Sequence, residues 1–344
     1  MVVAHWRTSR QWHPAQKVGL MIISRTPFRI SFAGGGTDLA AFYAAAPGAV
    51  TATTVDKYMF ITVNKRFDET LRVSYSRTEI VDDVEALDHP IVREALKMTG
   101  LTKGIEVTSI ADLPAGTGMG SSSAFTVGLL NALYAYRGRY TSARELAEQA
   151  CCIEVEILGE PIGKQDQYAA AYGGLNHIRF RPDEAVFVDP VITTPEVREE
   201  LDANLLLFYT GATRSASGIL KGQQDGTEAK RDVLAKMRGI AEEMACALQN
   251  GRRLNDFGGL LHEAWQLKRS VADGITNPDI DRWYEAARDA GALGGKLLGA
   301  GGGGFLLFFV ERQNQGALRR ALADLRELPF ALEPQGSKII YIGG

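Results

Sequence analysis

The run from Leu113 to Ala124 reads LPAGTGMGSSSA, and it is where this chain concentrates its capacity for chemistry. Glycines at 116, 118 and 120 let the backbone bend so that successive N–H groups point inward. Ser121, Ser122 and Ser123 add hydroxyl donors where an apolar segment of helical spacing begins. A helix start presents unpaired N–H groups and the positive end of its dipole, and both favour phosphate. No Gly-Lys-Ser/Thr follows, so the run is not a P-loop. Its GxGxG spacing, without a strand–loop–helix unit and a distal acid, also sets it apart from the dinucleotide fingerprint. Glycine is clumped elsewhere too, at Gly34–Gly36, Gly173–Gly174 and Gly299–Gly304, out of 37 glycines in all. Glycine costs backbone entropy, so such clumps mark places of close approach or positive φ, and four of them point to a ligand site.

The elements that must position these loops alternate irregularly, which predicts α+β layers rather than a doubly wound parallel sheet. Strand composition marks residues 22–33, 58–64, 104–110, 175–180, 185–191, 205–209, 305–310 and 338–342. Helical spacing marks 90–98, 121–138, 195–201, 230–249, 256–271, 279–290 and 316–325. Ser142, with Glu145 three residues on, predicts a capping box, and Leu146, Ala150, Ile153 and Ile157 fall on one face of the helix that follows. The charged helix after Pro195 marks the passage from a first domain, 21–195, to a second, 196–344.

Composition removes several classes. With 45% hydrophobic and 23% charged residues, 344 in all and a net charge of −3, the chain reads as a soluble two-domain protein, expected in the cytoplasm. That charge gives no case for nucleic acid or an anionic membrane. No apolar run reaches the ~20 residues that span a bilayer. Residues 1–20 carry Arg7, Arg10 and Lys17 without an apolar centre, so they are expected to be a disordered extension and not a signal peptide. Cys151, Cys152 and Cys246 lack metal or CxxC spacing and are expected to be buried, reduced thiols.

The segment PAGTGMGSSSA resembles the central motif of the GHMP kinases, Pro-x-Gly-x-Gly-Leu-Gly-Ser-Ser-Ala, with Met119 in place of leucine. Two further motifs of that family follow in the right order. TPFRISFAGGGTD, residues 26–38, resembles the opening strand and sugar-contacting turn, and GGKLLGAGGGGFLLFF, residues 294–309, the C-terminal glycine loop. IEVEILGEPIGKQDQYAAAYGG, residues 153–174, resembles the family's Glu…Gly-x-Pro-x-Gly-x-x-Asp-Gln segment, with Glu154 twelve residues before Asp166 and Glu156 as its competitor.

The resemblance implies a two-domain GHMP kinase fold, a ribosomal-protein-like βαβ domain followed by a ferredoxin-like α+β domain, with the active site between them. It implies ATP held by the loop of Pro114, Gly116, Gly118, Met119, Gly120, Ser121, Ser122 and Ser123. Ser122 and Glu154 would bind Mg2+, oxygen donors for a hard ion. Asp166 would accept or orient the acceptor proton, with Arg29 beside it holding Asp166 ionised and offsetting transition-state charge. Gly35, Gly36, Thr37, Asp38, Gly302 and Gly303 would meet the substrate. Gly35-Gly36 stand where galactose-specific members carry Glu-His, which argues against galactose.

Within the family, FRISFAGGGTD, VDKYMFITVN, SYSRTE and FYTGATRSASGIL look most like the members that phosphorylate D-glycero-D-manno-heptose 7-phosphate in bacterial GDP-heptose synthesis. A sugar phosphate needs a far-end contact, for which Arg214 with Thr213 and Ser215, Lys57 and Lys164 are candidates. A kinase for another sugar such as L-fucose, and a non-catalytic sensor of sugar and ATP, remain the other readings. A monomer or homodimer is expected.

Overall fold

A computed structural model describes residues 21–211, 217–249 and 254–343, so the expected extension over 1–20 and the Thr213–Arg214–Ser215 cluster lie outside the described residues. Two long strands organise the first sheet. Strands β1 (Met21–Ala33) and β2 (Gly48–Lys65) pair antiparallel from Ile22↔Val63 to Ala33↔Thr51. The register shifts twice, between Ser31 and Ala33 and at Pro27/Phe28, where proline has no N–H to give the ladder. Strand β2 is longer than the expected 58–64 because its first half, GAVTATTV, is buried throughout and shows no alternation to read.

The same sheet takes in β3 (Leu71–Ser74), β4 (Thr78–Val81), β5 (Ile105–Ala111), β6 (Asn176–Phe180) and β7 (Val186–Pro190). A second sheet has the order β11-β8-β10-β9, from β8 (Leu205–Tyr209), β9 (Gly294–Leu297), β10 (Phe305–Phe309) and β11 (Arg326–Glu327). The chain then crosses back. Strand β12 (Leu332–Glu333) pairs with β2, and β13 (Lys338–Gly343) pairs with the outer edge of β1. The division at residue 195 assigns this last stretch to the second domain, whereas its strands join the first sheet.

The helix Ser121–Tyr136 is apolar on all sides and packs on β1 and β2, where the Ser24 hydroxyl donates to the Gly128 carbonyl at 2.7 Å. Ser142 accepts from the Glu145 N–H at 3.2 Å, the first half of the capping box, while the Glu145 carboxylate accepts from Arg139 and Gln149 rather than from the Ser142 N–H. The helix it starts, Ala143–Cys151, widens into a π-helical turn over Cys152–Ile157. That extra residue per turn shifts the phase, so Ile153 stays buried while Ile157, expected on the same face, is exposed. Cys151 is buried as expected, Cys152 is half-buried and Cys246 is exposed.

The two sheets meet through the helix Leu254–Arg269. Its Phe257 ring lies 5.1 Å from Phe32 of β1 and 5.7 Å from Phe309 of β10. Among the described residues, no helix is long and apolar enough to cross a membrane.

Candidate active site at the junction of the two sheets

Arg29 lies on the buried second half of strand β1, is only 5% exposed and faces the glycine-serine loop. The guanidinium grips Asp166 with two parallel bonds, Nε to Oδ1 at 2.6 Å and Nη2 to Oδ2 at 2.7 Å. Its third arm donates from Nη1 to the Gly118 carbonyl at 2.5 Å, and its own N–H bonds the Met119 carbonyl at 3.1 Å. Arginine suits this place because its planar fork satisfies a carboxylate and a loop carbonyl together. Asp166 stands in the first turn of the helix Gln165–Tyr172, where the dipole favours negative charge.

The loop itself presents Gly116, Gly118, Gly120 and Ser121–Ser123 to a cleft of about 240 Å3. Gly120 adopts φ +74° at the start of the Ser121–Tyr136 helix, and no side chain caps that end. Its first-turn N–H groups are therefore available to an anion. Pro114 stands outside the cleft and accepts from the Thr117 hydroxyl at 3.0 Å. Met119 is buried, and shapes the loop from beneath. Gly299 and Ala300 of the second glycine loop line the opposite wall.

Behind the serines lies Glu154, buried in the π-helical turn. Its Oε1 accepts from the Ser122 hydroxyl at 2.6 Å and its Oε2 from the Gln167 amide at 2.8 Å. Burial pushes its pKa up, against the hydrogen bonds from Ser122, Gln167 and Ser123. No cation pairs with it among the described residues, while Glu156 faces solvent. A carboxylate and a hydroxyl at the helix start form a donor set suited to a magnesium ion that keeps most of its ligands from phosphate and water. The described residues hold no group of three or more His, Cys, Asp or Glu side chains able to bind a metal by themselves.

On the other side of Arg29, Gly35, Gly36 and Asp38 line the cleft together with Leu39, Gly163 and Gln223. Asp38 is buried, with its carboxylate accepting from the Gly36 N–H at 2.8 Å and the Gln165 N–H at 3.2 Å. Burial raises its pKa, the Gly36 hydrogen bond opposes, and the Asp166 charge adds to the rise.

Not every expected residue reaches the cleft. The Thr37 hydroxyl is spent on the turn, donating to Gly34 and Ala49 carbonyls at 2.8 and 3.0 Å. Gly302 and Gly303 are buried within their loop and do not line the cleft, with the Gly302 N–H bonded to the Ile275 carbonyl at 3.0 Å. Lys57 pairs with Asp56 at 2.8 Å and Lys164 with Glu184, and neither lines the cleft, although Gly163 and Gln165 beside Lys164 do. Gly173–Gly174 serve packing instead, since a Cβ at 173 would meet the backbone of Gln335 and Gly336 within about 2 Å.

Two lysines of the site escape a reading by motif. Lys296 opens toward β1 and donates to the Ser31 and Phe32 carbonyls at 2.6 and 2.9 Å. Lys268 ends the Leu254–Arg269 helix and donates to the Leu297 carbonyl at 3.3 Å and to the Gly299 carbonyl. Both line the cleft, and burial lowers both pKa values, that of Lys268 to about 7. A lysine in the last turn of a helix reads from sequence as an ordinary partner of the helix dipole, so nothing singled Lys268 out.

Comparison with known proteins gives the family. The sequence signature of the GHMP kinases N-terminal domain matches residues 86–174, and that of the GHMP kinases C-terminal domain matches 244–327. The chain is 31% identical over 319 residues to D-glycero-alpha-D-manno-heptose 7-phosphate kinase of Campylobacter jejuni, covering 88% of this chain and 93% of that one. It is 28% identical to the L-fucokinase/L-fucose-1-P guanylyltransferase of Bacteroides fragilis, covering 87% of this chain and 35% of that one. The crystal structure of a D-glycero-D-manno-heptose 1-phosphate kinase from Bacteroides thetaiotaomicron superposes with a TM-score of 0.78 at 24% identity, over 94% of this chain and 100% of that one.

Proposed function

This chain belongs to the GHMP kinase family and is one of its sugar kinases, and from that premise we propose that it phosphorylates the anomeric hydroxyl of D-glycero-D-manno-heptose 7-phosphate, giving the 1,7-bisphosphate. GHMP kinases use ATP as the phosphate donor. The observation that carries the reading is the arrangement of Asp38, Arg29–Asp166 and the uncapped Ser121 helix start along one cleft, in a chain similar along its length to a heptose 7-phosphate kinase.

Phosphoryl transfer asks for in-line positioning and charge neutralisation more than for covalent help. The N–H groups of the 116–123 loop bind the phosphates. Asp38, fixed by two backbone N–H donors, orients the sugar through its hydroxyls. Asp166 takes the proton of the acceptor hydroxyl, and Arg29 holds that carboxylate in place by both its oxygens. The Arg29 bond to the Gly118 carbonyl ties this pair to the phosphate loop, so acceptor and donor are positioned by one connected set of groups. A magnesium ion, when bound at Ser122 and Glu154, supplies neutralising charge to the phosphate oxygens.

The test is a coupled ADP-release screen with ATP and magnesium against heptose 7-phosphates, L-fucose, mannose and galactose. Strong turnover on the heptose 7-phosphate is expected. Strong turnover on an unphosphorylated hexose and none on the heptose phosphate overturns the assignment. The likeness to an L-fucokinase makes L-fucose the second reading, and no ADP release with any sugar would favour a sensor.

A further inference from the structure

We propose that Lys268 is a further catalytic residue of this kinase, its ammonium donating to the phosphoryl group as it passes from ATP to the acceptor. An ammonium has three N–H donors and no acceptor. Two of those on Lys268 are engaged by the carbonyls of Leu297 and Gly299, and the residue lines the cleft with the third to spare. Its position is on the phosphate side. Gly299, to which it is bonded, packs directly on Gly118 of the phosphate loop, with a Gly299 Cβ only 2.3 Å from the Gly118 Cα. Lys296, by contrast, is bonded to Ser31 and Phe32 at the end of β1.

The charge on Lys268 has no carboxylate of its own. It makes no ion pair among the described residues, and the nearest acid acting on it, Asp166, already accepts from Arg29 with both oxygens. Arg29 and Lys296 are further cations within electrostatic reach. A half-buried cation facing a cleft without a counter-ion is costly to the empty protein, and a polyanion at the junction of the two glycine loops offsets that cost. Its pKa, lowered first by burial and then by Arg29, fits the same picture, because an arriving phosphate favours the protonated amine.

In the transfer, the acceptor oxygen forms a bond to the γ-phosphorus, and the bond from that phosphorus to the β–γ bridging oxygen breaks. The electron pair of the broken bond leaves with ADP. The acceptor proton goes to Asp166, and Lys268 keeps its proton and contributes hydrogen bonding and charge.

This inference rests on the chain being an active kinase but not on which sugar it takes. The experiment compares the wild type with Lys268→Met and Lys268→Arg, all checked for cooperative melting. Lys268→Met is expected to lower kcat by roughly 10²- to 10³-fold, the usual loss on removing one transition-state donor. Its affinity for β,γ-imido-ATP should fall about tenfold with affinity for ADP unchanged, and Lys268→Arg should recover part of both. If ADP and the imido analogue lose affinity alike, Lys268 only braces the glycine loop and the proposal is overturned. An unchanged kcat overturns it too. The binding arm uses no sugar, so a wild type inactive on heptose 7-phosphate would sink the substrate assignment alone.

Discussion

Gly118 and Gly299 hold their backbones closer than any side chain permits. A Cβ on Gly118 would lie 2.4 Å from the Leu298 carbonyl oxygen, and both residues have positive φ, +80° and +74°. The phosphate loop of the first sheet and the glycine loop of the second are therefore one structure at this point. The contact continues at Gly304, where a Cβ would stand 2.4 Å from the Thr117 carbonyl oxygen. Whatever binds the 116–123 loop meets a wall contributed by the second sheet, and Lys268 is bonded to that wall.

Gly299→Ala tests whether this contact matters to chemistry. The added methyl must part the two loops, and a displacement near 1 Å at a reacting centre costs about 10²-fold. We expect kcat to fall by roughly that factor with the ATP KM raised, and the melting temperature to fall as well, because alanine at positive φ costs about 1–2 kcal/mol before the clash with the Gly118 backbone is added. Wild-type kinetics in this variant would show that the loops need not touch.

Asp166→Asn should lower turnover by about 10²- to 10⁴-fold, the range for loss of a general base, while ATP affinity survives. The variant also leaves the nearly buried Arg29 without its carboxylate, so a lower melting temperature is expected. Steady-state rates and an equilibrium titration with ATP separate the two effects. Near-normal turnover sinks the assignment of Asp166.

Glu154→Gln should trade activity for stability. Burial raises the Glu154 pKa, so its neutral form is the one that suits the fold. The stability it adds is full below the unfolded value near 4.3 and is lost as pH rises through the raised folded value. Above that raised value and without magnesium, the wild type carries a buried carboxylate with no cation beside it among the described residues, and there the variant should melt at the same temperature or higher. That advantage should shrink as pH falls toward the ordinary glutamate range. The unpartnered Gln167 Oε1 can turn to accept from the new amide. Turnover should drop by roughly 10²-fold or more, and added magnesium should no longer raise the melting temperature. A variant whose stability relative to wild type falls as pH rises contradicts this account.

Gly163→Ala aims at the sugar side. Its Cβ would stand 1.9 Å from Asp38 Oδ2, so it must push that carboxylate from its place. We expect the sugar KM to rise about tenfold or more with the ATP KM little changed, and Asp38→Asn to behave alike, since the amide keeps one acceptor where two N–H donors now bind. A rise in the ATP KM instead would place Asp38 on the nucleotide.

Much of the site was legible because its parts are local. A glycine-serine run before an apolar helix announces a phosphate cradle, and Ser142 with Glu145 announces a helix start, from interactions a few residues long. The resemblance to the family, whose glutamate lies twelve residues before the aspartate, points to Glu154, with Glu156 as its competitor. Only Glu154 is buried beside Ser122, and that burial follows from the π-helical turn, which no periodicity of 3.6 foretells. The Gly173–Gly174 pair misled as a ligand signal because close approach between backbones makes the same demand for glycine as close approach to a phosphate.

By itself, the sequence determined most of the elements and the order of the three glycine motifs, and through its resemblance to the family it pointed to Arg29 and Asp166 as the candidate pair. Those are properties of short segments and of residue type. Tertiary structure alone decided which distant segments meet. It put β13 on the edge of β1, turned Thr37 and Gly302 away from the cleft, and brought Lys268 and Lys296 into it. A lysine declares nothing until its surroundings are known, because the same ammonium is a solvated surface charge or an unpaired cation in a cleft according to what packs around it. The phosphate loop is thus written in one stretch of chain, while the charge that faces it is assembled by the fold.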